Sequence, residues 1–141
     1  MGTDRRYLIM KYKSGYKYQL HETFTVQTPY RGIECGGDYL SLDADGLLTI
    51  NAGYSSDGPS GPTVDTKTFM RGAFAHDALY QLMRSECIPL ELRDMADKLL
   101  REMCIEDGMC KMRAAWVYYG LKWGGAAAAD PRNKKEILEA P

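Results

Sequence analysis

Two periodicities divide this chain near residue 54. In the first part, Tyr16-Lys17-Tyr18-Gln19-Leu20 alternates with period two and Phe24-Thr25-Val26 continues the pattern, as a half-buried strand requires. Arg6 to Tyr12 is a short apolar run of the same kind. Tyr39-Leu40-Ser41-Leu42 and Leu47-Leu48-Thr49-Ile50 flank Asp43-Ala44-Asp45-Gly46. Asp-Gly between two β-type runs predicts a hairpin. The same quartet begins like a calcium-binding EF-hand loop, but Tyr54 stands where that loop needs a Glu, so the hairpin reading is kept.

The period then changes to 3.6. Gly53 to Pro62 holds too much Gly, Pro and Ser for a helix or a central strand and reads as a tightly specified loop. Three helical patterns follow: about Asp65 to Arg84, about Leu90 to Glu106, and about Cys110 to Trp123, the last stopped by Gly124-Gly125. The second carries Leu92, Met95, Ala96, Leu99, Leu100 and Met103 on one face, the amphipathic template. Strands followed by helices, unmixed, predict an α+β fold. The expected form is an N-terminal antiparallel sheet of hairpins, then three helices, two of them antiparallel. We expect a single domain over 1–125 (β-rich 1–53, loop 54–64, helical 65–125) and a mobile C-terminal arm over 126–141.

The 141 residues suit one domain with a real core, and 45% of them are hydrophobic. Eighteen basic against nineteen acidic residues leave a net charge of -1, with no field to gather nucleic acid. Apolar runs stay short of a membrane span, and the charged start is not expected to act as a signal peptide. The four cysteines form no CxxC pair. They are expected to be free thiols in a chain made in a reducing cytoplasm.

Candidate chemistry gathers on the helices. Phe69, Gly72, Ala73, Leu79, Tyr80 and Met83 all fall within about 60° of His76 at 100° per residue. An imidazole in mid-face is partly desolvated and needs a partner. Asp77 projects onto the rim. Asp97 lies on the flank of the second apolar stripe and has two readings. It pairs with Arg93 and Arg101 along its own helix, or it faces the first helix and accepts a proton from His76. Trp116, Tyr119, Gly120 and Trp123 share one face of the third helix. Such a stripe is usually core; the alternative is a lipid-interface or subunit contact, where Trp and Tyr suit half-wet surfaces.

The loop Gly53-Tyr54-Ser55-Ser56-Asp57-Gly58-Pro59-Ser60, then His76-Asp77-Ala78-Leu79-Tyr80, then Ala96-Asp97-Lys98, then Tyr118-Tyr119-Gly120, resembles an uncharacterised bacteriophage family found among tail-region genes. The resemblance spans roughly residues 10–125. The order of these motifs is also similar to phospholipase A2, above all to the disulfide-free viral capsid enzymes. That resemblance implies that His76 activates water, Asp97 is the dyad carboxylate and Tyr80 hydrogen-bonds it. It further implies that Asp77 is a calcium ligand and that Gly58 and Gly61 belong to a calcium loop. Asp57 has no phospholipase counterpart; it is an extra metal ligand or a cap on its own loop backbone.

Three functions follow as expectations. The first is a phage-encoded hydrolase acting on phospholipid esters in envelope penetration or lysis, assisted by Ca2+. The second is a virion or tail structural protein, with tail or virion proteins as partners, whose His/Asp cluster only holds the helices together. The third is another metal-dependent hydrolase with Asp57, His76, Asp77 and Asp97 as shared ligands. The implied location is the host cytoplasm at synthesis, then the virion.

Overall fold

The computed structural model describes residues 12–13, 18–56 and 67–124. All of the expected strand over Arg6 to Tyr12 but Tyr12 itself lies outside them, as do the arm over 126–141 and most of the Gly/Pro loop. Among the described residues, six short strands precede three helices, so the fold is α+β as the pattern predicts. The strands are β1 (Tyr12–Lys13), β2 (Tyr18–Leu20), β3 (Phe24–Gln27), β4 (Leu40–Leu42), β5 (Leu47–Ile50) and β6 (Ser55–Ser56). They form two antiparallel three-stranded sheets, ordered β1-β2-β6 and β3-β5-β4. The run through Leu20 and Phe24 thus does not continue as one strand. It breaks at His21–Thr23 and passes from one sheet to the other.

Alternation does its expected work in the second sheet. Phe24, Val26, Leu40, Leu42, Leu48 and Ile50 all point into the core. The hairpin joining β4 to β5 pairs Leu42 with Leu48. Its turn is closed by Gly46 N–H donating to the Asp43 carbonyl at 2.9 Å. The Asp43 carboxylate accepts from the N–H groups of Asp45 and Leu47, which is turn chemistry.

The helices are α1 (Lys67–Arg84), α2 (Arg93–Glu106, led in by a 3-10 turn over Leu90–Leu92) and α3 (Lys111–Gly124). Two of their ends use the same device. Gly108 at φ +106° lets Met109 N–H reach Cys104 O and its own N–H reach Ile105 O. Glu86 at φ +63° does the same for Cys87 N–H to Leu82 O and its own N–H to Met83 O. Both match the Schellman closure.

Helix α1 is central. One core joins β-sheet residues such as Val26, Leu48 and Ile50 to Phe74, Leu79 and Met83 of α1 and to Leu99 and Met103 of α2. A second cluster of Phe69, Ala73, Leu100, Cys104 and Ala114 knits α1 to α2 and α3. Gly72 makes the α1–α2 approach close: a Cβ there would lie 2.6 Å from Leu100 Cδ1.

The cysteine expectation is corrected. Cys35 and Cys87 are disulfide-bonded across 52 residues. Cys35 is bridged to Leu42 beside β4, while the αL turn at Glu86 brings Cys87 back from α1 to meet it. Cys104 and Cys110 are free. Burial pushes the Cys104 thiol up to about 12, with the Asp107 charge adding to it, so it remains an inert thiol.

Candidate active site

Packing α1 against α2 sets His76 beside Asp97. His76 Nε2 lies 2.7 Å from Asp97 Oδ1, and Tyr80 Oη donates to the same oxygen at 2.6 Å. The His76 and Tyr80 ring centroids are 4.0 Å apart, because residues four apart stack on one helix face. Arg93 Nη1 faces Asp97 Oδ2 at 3.4 Å from one helical turn earlier. Asp97 is completely buried. Asp97 lies on the flank of α2 as its spacing places it, and α1, Arg93 and Tyr80 close over that flank.

With Asp97 ionised and the imidazole neutral, the carboxylate can only accept, so Nε2 carries the hydrogen it shares with Asp97. That leaves a lone pair on Nδ1, which has no hydrogen-bond partner among the described residues. The His76 side chain is 11% exposed, so the imidazole meets solvent while its carboxylate does not.

The surrounding phenols stay protonated. Burial first, and then the bond it donates to Asp97, holds Tyr80 well above its ordinary value. Burial and the Asp97 charge do the same to Tyr30, whose Oη donates to Leu92 O at 2.9 Å at the entry to α2. Both phenols therefore remain neutral beside Asp97.

Arg93 does more than the i,i+4 pairing that its spacing predicts. Its Nη1 also donates to Leu121 O at 3.0 Å, and Nη2 to Lys122 O at 3.2 Å, in the last turn of α3. One guanidinium thus ties α3 to the carboxylate behind His76. Arg101, the other expected partner of Asp97, instead lies over the Tyr118 ring, 5.7 Å from its centroid.

Asp77 sits next to His76 but outside this cluster. Tyr54 Oη donates to its Oδ2 at 3.1 Å, and Arg84 Nη2 is 3.9 Å from its Oδ1. Asp57, Gly58 and Gly61 lie outside the described residues. Among the described residues, no group of three or more His, Cys, Asp or Glu is placed to hold a metal. Of the metal ligands that the resemblance implies, Asp77 alone lies among the described residues, and no chemical step below passes through a metal.

The aromatic stripe of α3 is placed against the core reading. Met112, Trp116, Tyr119 and Trp123 are 73%, 76%, 46% and 81% exposed. Helix α3 buries its opposite face, Ala114 and Tyr118, instead. No described helix is long and apolar enough to cross a membrane.

Sequence reasoning brought out His76, Tyr80 and Asp97, which the fold assembles. It missed Tyr30, which no local signal marks, and it saw Arg93 only as a helix-surface partner. Compared with family models, curated proteins and solved structures, the chain matches none.

Proposed function

We propose that the chain is a hydrolase that cleaves phospholipid esters with water, in the manner of the phospholipase A2 enzymes its motif order resembles. The reading rests on one observation: His76 Nε2 is 2.7 Å from the buried Asp97 carboxylate, with Nδ1 left to receive a proton. A water on Nδ1 gives that proton to the imidazole as its oxygen attacks the ester carbonyl. Asp97, held by Tyr80 and Arg93, stabilises the imidazolium that forms. The tetrahedral intermediate then collapses, its C–O bond to the leaving alcohol breaks, and the imidazolium returns the proton to the departing oxygen. The products are a fatty acid and a lysophospholipid. Synthesis in a host cytoplasm and carriage on a phage particle belong to the same reading.

The test is hydrolysis of phospholipid vesicles by the purified chain, with calcium and with chelator. His76→Ala is expected to lower the rate by about 10²–10⁴-fold, and Asp97→Asn by a comparable factor. Unchanged hydrolysis in both variants overturns the proposal. No hydrolysis by the parent chain, with His76→Ala lowering only the melting temperature and particle assembly, assigns the cluster to a structural virion protein instead.

A further inference from the structure

Helix α3 carries the strongest unabsorbed feature. At 100° per residue, Met112, Trp116, Tyr119 and Trp123 fall within about 60° of arc. All four are exposed, so they form one apolar strip along the helix. The strip is flanked by Lys111 and Lys122 on one side and Arg113 on the other, and α3 contains no acid. Exposed aromatics flanked by cations, on a helix that itself carries no acid, suit a membrane surface. Indole and phenol rings suit the headgroup level, where one end is apolar and the other wet.

We infer that this face of α3 docks the protein on a lipid bilayer bearing anionic headgroups. Charge chooses this occupant over a second copy of the chain. Two α3 strips packed face to face and antiparallel would set Lys111 beside Lys122 of the other copy, and parallel packing would set Lys111 beside Arg113 of the other copy. Either pairing is repelled, whereas an anionic surface attracts all three cations. The net charge of -1 conceals this because the acids lie on other elements. The last turn of the same helix is hydrogen-bonded by Arg93, which also pairs with Asp97. Lipid contact is therefore one side chain away from the dyad. The inference deepens the hydrolase reading by supplying the surface on which its substrate lies, but the docking itself needs no catalysis.

Trp116 and Trp123 are the only tryptophans of the chain, so its indole emission reports on this strip alone. The test mixes the full chain with vesicles of non-hydrolysable ether phospholipids. One set is phosphatidylcholine alone; the other is phosphatidylcholine mixed with phosphatidylglycerol. Emission is expected to shift to the blue and the chain to sediment with the mixed vesicles. Lys111→Gln and Lys122→Gln should each weaken that binding about fivefold. The double variant Trp116→Ser/Trp123→Ser should abolish sedimentation with an unchanged melting temperature. His76→Ala should bind as the parent does, so a failed hydrolase leaves docking standing, and hydrolysis without sedimentation leaves only the hydrolase. An unshifted emission with the chain left in the supernatant overturns the inference. So does a lipid-independent dimer, seen by analytical ultracentrifugation, that the tryptophan variant dissolves.

Discussion

Asp97 has donors from three directions on its two oxygens and is fully buried. Each donor can be removed singly, and the cost depends on what is left behind. Tyr80→Phe leaves the ring packing in place but removes a hydrogen bond to a buried charge. It should cost about 1.5–3 kcal/mol in denaturant unfolding, and it should slow hydrolysis less than His76→Ala does. A second polar pair lies nearer solvent. Tyr118 Oη donates to Asp94 at 2.6 Å, and Lys98 lies 3.0 Å from the same carboxylate. Tyr118 first and Lys98 next hold the Asp94 carboxyl below its ordinary 3.8. The same bond pushes Tyr118 from 10.0 up to about 12. A lowered acid stabilises the fold above its unfolded pKa, and that stability is lost as pH falls through the folded one. A raised phenol stabilises below pH 10 and loses its effect as pH climbs toward 12. Tyr118→Phe should therefore cost under about 1 kcal/mol on a plateau between those limits, with the difference from the parent vanishing at both ends. Unfolding free energies measured across pH check this.

At the scale of elements, turn geometry decides more than propensity does. Gly46 sits at φ +90°, and a Cβ there would strike the Tyr30 carbonyl and lie 2.7 Å from Thr28 O. Gly46→Ala should cost at least about 2 kcal/mol, read as a lowered midpoint of thermal unfolding. Glu86 holds at the end of α1 the position that Gly108 holds at the end of α2, without the freedom of glycine. Glu86→Gly should stabilise the chain by roughly 0.5–1 kcal/mol, because the closure stays and the strain of a side chain at φ +63° goes. One substitution adds a side chain at positive φ and the other removes one, so a common denaturation series tests both. The hairpin and the ends of α2 and α3 were legible because each is coded within a few residues. The passage of the chain between sheets at His21–Thr23 was not, since alternation looks the same on either side of it.

At the scale of the molecule, the Cys35–Cys87 disulfide joins the sheet to the turn after α1. Closing a loop of 52 residues restricts the unfolded chain, which loop entropy values at about 4 kcal/mol. Cys35→Ala/Cys87→Ala should lose up to that amount in denaturant unfolding. In the parent chain, a thiol titration under denaturing, non-reducing conditions should count two free thiols, not four.

The sequence alone determined the α+β class, the β4–β5 hairpin, three helices close to their observed ends, and the candidacy of His76, Tyr80 and Asp97. Periodicity, turn residues and helical spacing are local, so one chain suffices to read them. Only the tertiary structure decided which of the two readings of Asp97 holds: it meets His76 and Arg93 together, while Arg101 turns to Tyr118. It likewise decided that the aromatic strip of α3 faces outward and that Cys35 meets Cys87. The reason in each case is the same. A helix has several faces, a cysteine can pair with any other, and which face is covered or which pair meets depends on elements distant in sequence.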